Sequence, residues 1–162
     1  MPDSFQEDIF RHGFVILHES LKQTAIPAKL IQSYLATLYQ ADIDTDKMTL
    51  RIGEHCESLS HLLSTKAVQC ALYITACNPR SRPRPQQINE LANHRLYSCL
   101  FRYTDNIFIG RSLDPAEKWP AEPSFLALGI DLVTAKILGR HFDQNALVWI
   151  NDDAIPRLVL LR

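Results

Sequence analysis

The sequence predicts a mixed α/β domain, of α+β or α/β type, with one β-sheet of about five to six strands and helices packed on it. Three observations carry that prediction. Short apolar runs of strand length alternate along the chain with longer segments of helical period. Residues Cys70 to Cys77 are almost continuously apolar, as a strand covered on both faces is. The length, 162 residues, fits a single core.

Residues 1–25 read as an N-terminal extension packed on a domain spanning 26–162. In the extension, Phe5, Ile9 and Phe10 suit a helix, while Phe14 to Leu17 suit a strand. Pro27 fits a first helical position, and Leu30, Ile31, Tyr34, Leu35, Leu38 and Tyr39 then form one apolar stripe. Asp42, Asp44 and Asp46 read as a polar turn. Thr49 to Ile52 predict a short strand ending at Gly53, and 54–65 a helix burying Cys56, Leu59, Leu62 and Leu63.

After the apolar strand at 70–77, three prolines and three arginines between Asn78 and Pro85 break the pattern. A long helix follows over roughly 86–103, with Ile88, Ala92, Leu96, Cys99 and Tyr103 as its buried stripe. Asn89 and Asn93 lie one turn apart at the stripe's edge. Ile107 to Ile109 predict a strand, Arg111 to Ser124 a long loop, and Phe125 to Leu128 another strand. Asp131 is a natural N-cap for a helix carrying Leu132, Ala135, Leu138, Gly139 and Phe142. Ala146–Ile150 and Arg157–Leu161 complete the set as a hairpin around Asn151, Asp152 and Asp153. The first two strand–helix–strand links allow parallel, right-handed crossovers.

Composition excludes several classes. The hydrophobic content is 46%, enough apolar surface to offset ordering entropy, so the chain is not a disordered one. Net charge is −1, without the basic surplus of a dedicated nucleic-acid binder. No run is long and apolar enough to span a membrane, and the first residues lack the features of a signal peptide, so the expectation is cytoplasmic. Cys56, Cys70, Cys77 and Cys99 fit no zinc spacing and read as free, inert thiols. His55 and His61 are six apart rather than the four that metal ligands on a helix need, so no metal site is expected. No cofactor can be named, nor an oligomeric state.

Several stretches together resemble a family. They are Leu50 to Glu54; Ile74 to Ala76 with Asn78, Pro79 and Ser81; Asn89 and Leu96; Trp119, Glu122, Ser124 to Leu126 and Gly129; and Ala135, Leu138, Phe142 and Gln144 to Ala146. In order and spacing they resemble the bacterial family labelled domain of unknown function 3293, over roughly residues 30 to 162. That resemblance implies a single domain and carries no activity, cofactor or catalytic residue. The family tends to place a bulky aromatic where this chain has Cys77, which argues against Cys77 as a shared nucleophile. It tends to place glycine where this chain has Asp143.

Two stretches could carry function. One is the strand-to-helix turn from Thr75 to Asn89. A helix N-terminus offers unpaired N–H groups, Arg80, Arg82 and Arg84 add charge, and Thr75, Asn78 and Ser81 add polar contacts. The blander reading is a solvated loop stiffened by proline. The other is the long loop with Trp119, Glu122 and Ser124. There Trp119 could stack on a ligand and Glu122 accept a proton. The blander reading anchors Trp119 in the core and pairs Glu122 with Arg51 or Arg111.

The functional expectation is a small-molecule domain for an anionic or phosphorylated ligand, with or without catalysis. Its tentative site is Thr75, Asn78, Ser81, Arg82, Asn89, Trp119, Glu122 and Ser124. The alternative is a protein-interaction or regulatory module without catalysis. Nucleic-acid binding through the three arginines is a weaker third.

Overall fold

The structure is a computed structural model, and it describes residues 15–17 and 24–162. In chain order its elements are β1 (Ile16–Leu17), α1 (Ala28–Ala36), β2 (Leu38–Ile43), β3 (Asp46–Leu50), α2 (Glu57–Thr65), β4 (Ala71–Ile74), a 3-10 turn (Pro79–Ser81), α3 (Gln86–Phe101), β5 (Ile107–Leu113), β6 (Glu122–Leu128), α4 (Leu132–His141), β7 (Ala146–Ile150) and β8 (Pro156–Leu160). All eight strands form one sheet in the order β1-β8-β7-β4-β6-β5-β2-β3.

The mixed α/β layering agrees with the sequence reading, but the sheet has eight strands rather than five to six. The two extra strands are β1 and β2. Leu38 and Tyr39, read as the end of the first helical stripe, instead open β2. The reason is that helix α1 stops at Ala36, and Thr37 adopts extended backbone as its C-cap. Asp44, at φ 55°, then turns β2 into β3 as a tight hairpin. The helix expected around Phe5, Ile9 and Phe10 lies outside the described residues, while Ile16–Leu17 joins the sheet beside β8.

The sheet is mixed, as expected. Every pairing is antiparallel except β1 with β8. Because direction alternates along the sheet, β3 and β4, β4 and β5, and β6 and β7 each run parallel with other strands between them, so these strand–helix–strand links are crossovers between parallel, non-adjacent strands.

Helices lie on both faces. On one face α2 buries Leu59 and Leu63 against Tyr73, Leu126 and Ile150, while Ile31 of α1 packs with Leu158 and Leu160. On the other, Leu96 and Leu100 of α3 and Ala135 and Leu138 of α4 meet Leu72, Ile74 and Ala127. Strand β4 is central and wholly buried, as its continuous apolar run requires. Asp131 caps α4 as expected, its carboxylate accepting from the Thr134 N–H at 2.7 Å.

The buried face of α3 is rotated from the one read in the sequence. Asn93, Leu96 and Leu100 are its buried residues, whereas Ile88 and Tyr103 are more than half exposed. The two asparagines that looked like an edge thus point at the sheet. They do so where β4 and β5 end and β2, β6 and β7 begin.

Candidate functional site at the end of the sheet

Strand β4 hands over to α3 through an unusual stretch of backbone. Asn78, Arg80 and Ser81 all have positive φ, near 46°, 56° and 57°. Left-handed backbone costs a residue with a Cβ roughly 1–2 kcal/mol, so such a turn persists only when tertiary contacts hold it. The holding contacts are visible. The Arg80 N–H donates to the Asp143 carbonyl at 2.9 Å, and the Arg80 Nε–H donates to the Asp143 carboxylate at 2.9 Å. Ser81 shares a hydroxyl–hydroxyl bond with Tyr34, and Asn145 donates to the Tyr34 hydroxyl at 3.0 Å. Asp143 is itself left-handed at φ 54°, a backbone conformation that glycine adopts most readily.

Asn78 is the hub. Its backbone N–H donates to Asn89 Oδ1 at 2.9 Å, and its side-chain Oδ1 accepts from Asn89 Nδ2 at 2.9 Å. The same Oδ1 accepts the Arg84 backbone N–H at 2.9 Å. Asn78 Nδ2 donates to Glu122 Oε2, again at 2.9 Å. Beneath this, Asn93 Oδ1 accepts the Ala76 N–H at 2.8 Å, and Asn93 Nδ2 donates to the Pro123 carbonyl at 2.9 Å. Thr75 donates to that same carbonyl at 2.7 Å. The junction therefore binds β4, β6 and α3 to one another through three asparagines and a threonine.

The structure thus brings Thr75, Asn78, Asn89 and Glu122 together. Ser81 and Arg82 sit on the adjoining exposed turn. Ser124 is buried and donates its hydroxyl to the Glu122 carbonyl at 3.0 Å, so it shapes the strand. Trp119 is not among them. It lines a separate groove of about 590 Å³ with Leu38, Leu113 and Lys118, and Glu122 is not part of that lining. The long loop is also shorter than expected, because β5 runs on to Leu113 and β6 starts at Glu122.

The turn leading into α3 does not extend the row of unpaired N–H groups expected at the helix N-terminus. Instead the amides of Ala76, Cys77, Asn78, Arg80, Arg82 and Arg84 all donate to internal acceptors. The physical reason is the asparagine content: side-chain oxygens occupy the donors that a ligand would otherwise use.

Glu122 is the outstanding group. It is half-buried, and burial raises its carboxyl pKa while the Asn78 hydrogen bond opposes that shift. It pairs with neither Arg51 nor Arg111. Among the described residues it forms no ion pair at all. A group whose folded pKa is raised contributes stability below its unfolded pKa, and that contribution is lost as pH rises through the folded value. At neutral pH the carboxylate therefore opposes folding. Glu122→Gln, which keeps an acceptor for Asn78, should raise the melting temperature at pH 7–8 on the order of a degree or two. The gain should vanish below the ordinary carboxylate range. Thermal melts of both proteins across pH 3.5–8 test this, and an equal or lower melting temperature for the variant at pH 8 refutes it.

Cys77 is buried, with burial pushing its thiol pKa up, so it is a poor thiolate. Among the described residues no three His, Cys, Asp or Glu side chains gather as a metal site. Gln144 and Asn145 bridge to neighbouring backbone and side chains, Gln144 donating to the Cys77 carbonyl at 3.1 Å. Tyr34 left no sequence signal, since its place in an apolar stripe hid the hydroxyl that meets Ser81 and Asn145.

Residues 74–147 match the family described as protein of unknown function (DUF3293). The resemblance holds over that segment, narrower than residues 30 to 162. It runs from the end of β4 into β7 and so contains Asn78, Asn89, Asn93 and Glu122, but not Tyr34. Neither the curated proteins nor the solved structures yield a match to the chain.

Proposed function

We propose that this protein is a small-molecule binding domain whose ligand is anionic or phosphorylated, seated at the sheet end around Asn78, Asn89 and Glu122. The observation that carries this reading is the juxtaposition of Arg82 and Arg84, which form no ion pair among the described residues, with Glu122, a half-buried carboxylate that among those residues has one amide donor and no cation partner. Groups held in such surroundings cluster at functional sites. Exposed Arg82 and Arg84 on the adjoining turn supply the positive charge, Arg84 being tied by its N–H to Asn78. If the ligand is a substrate, Glu122 is the group available for proton transfer. Four free cysteines support a reducing, cytoplasmic setting.

The test is a thermal-shift panel of nucleotides and sugar phosphates on the wild-type protein and on the Arg82→Ala/Arg84→Ala double variant. At a hundred times Kd a bound ligand stabilises by about 2.7 kcal/mol, roughly 5–10 °C at this chain length. At least one compound should raise the wild-type melting temperature, with most of the shift lost in the variant. No shift from any of these compounds, nor from any carboxylate-bearing amino acid, at millimolar concentration defeats the reading.

A second reading, a protein-interaction module without catalysis, is favoured by one observation. Tyr97 and Phe101 stack on the outer side of α3, Tyr97 touches Phe125, and Phe125 pairs across β5 with the 65% exposed Ile109. A continuous apolar strip of this kind suits a protein surface. A concentration-independent monomer mass by light scattering argues against its use in self-association.

A further inference from the structure

The donors around Glu122 are all committed elsewhere. The Tyr39 hydroxyl donates to the Tyr34 carbonyl at 2.6 Å, and the Tyr73 hydroxyl to the Gln40 carbonyl at 2.7 Å. Thr75 donates to the Pro123 carbonyl and Ser124 to the Glu122 carbonyl. Asn78 serves Oε2 alone. Among the described residues, Glu122 Oε1 therefore has no donor. The oxygen is not sealed in, because no buried side-chain oxygen or nitrogen of the described residues lacks a partner.

A complementary deficit lies beside it. Arg84 is fastened by its backbone N–H to the same Asn78 amide that holds Glu122, at 2.9 Å on each side. Arg82 and Arg84 form no ion pair among the described residues, and neither reaches Glu122 within ion-pair distance. One amide thus holds both the Glu122 carboxylate and the backbone of Arg84, and neither charged group forms an ion pair among the described residues. The amide is fixed in turn by Asn89 from α3, so its orientation is set before any ligand arrives.

Resting on the site reading above and narrowing its ligand, we infer that the ligand's anionic group is the carboxylate of a zwitterion of the amino-acid class. Its ammonium group seats on Glu122 Oε1 and its carboxylate on Arg84, with Arg82 adding charge at the rim. A purely anionic ligand would match the arginines and leave the half-buried carboxylate uncompensated, with like charges close together. A zwitterion matches both, and each contact is a charge-assisted hydrogen bond.

The test is a thermal-shift titration of the full chain with each of the twenty common L-amino acids. Any that stabilises is paired with its 2-hydroxy acid, which keeps the carboxylate and side chain but replaces the ammonium. At least one amino acid should raise the melting temperature, with the hydroxy acid about tenfold weaker or more, as loss of a charged hydrogen bond implies. Glu122→Gln should erase that difference, and Arg84→Ala should weaken both compounds. If the hydroxy acid binds equally well, or if only phosphate compounds shift the protein, the zwitterion is wrong while the anionic reading survives. Silence from both panels overturns both.

Discussion

Replacing Gly110 by alanine is expected to destabilise the fold by about 3 kcal/mol or more, lowering the melting temperature by roughly 6–12 °C. Gly110 lies mid-way along β5, with β2 on one side and β6 on the other. A Cβ there would sit 2.1 Å from the Gln40 carbonyl oxygen and 3.0 Å from the Tyr73 hydroxyl. A backbone carbonyl in a paired strand cannot swing away as a flexible side chain would. The Tyr73 hydroxyl donates to that same Gln40 carbonyl, so relieving the clash would also strain a buried hydrogen bond. Among the described residues the β2–β3 hairpin joins the rest of the sheet only through β2 and β5, so the disturbance falls on that strand connection. Thermal melts of Gly110→Ala and of Gly139→Ala separate backbone from side-chain crowding. A Cβ at Gly139 meets the Leu161 and Leu147 side chains, at 2.5 and 2.9 Å, and these can partly repack. Gly110→Ala should be the worse of the two, and a loss under 1 kcal/mol would show that the strands do not approach as described.

Asn93→Ala is the second large effect, expected at roughly 2–3 kcal/mol. Asn93 is 93% shielded from solvent by its relative exposure of 7%. Removing its amide leaves the buried Ala76 N–H without its acceptor, and an unsatisfied buried donor costs more than an ordinary hydrogen bond contributes. The Pro123 carbonyl keeps its Thr75 donor, so the damage concentrates on the β4 exit. Urea unfolding with an unchanged m-value should show the loss, and hydrogen exchange should show the Ala76 amide losing protection. If Ala76 stays protected and stability falls by less than 0.5 kcal/mol, another acceptor has taken over. Loss of the Asn93 anchor should also loosen Asn78 and weaken any ligand that depends on Glu122.

Much of this site was legible as composition, and its arrangement was not. The break at Asn78 to Pro85 announced a strand-to-helix junction, and Thr75, Asn78, Asn89 and Glu122 stood out as polar residues beside apolar runs. That Asn78 reaches Glu122, 44 positions along the chain, depends on β4 and β6 lying side by side. Hydrophobic period reports the face a residue takes on its own element and says nothing about which strand lies alongside. Trp119 and Ser124 illustrate the opposite outcome. Both are near Glu122 in sequence, yet one lines a different groove and the other is folded into the strand.

By itself, the sequence determined the mixed α/β class, the central buried strand, the α4 cap at Asp131 and the β7–β8 hairpin, because period, capping chemistry and turn residues act over a few positions. Only the tertiary structure decided the eight-strand order, the antiparallel pairing, the rotation of α3 and the meeting of Asn78 with Glu122. Those depend on contacts between residues far apart in the chain, where packing and hydrogen-bond satisfaction override local preference. The same long-range packing holds Asn78, Arg80 and Ser81 in left-handed backbone that none of them would favour alone.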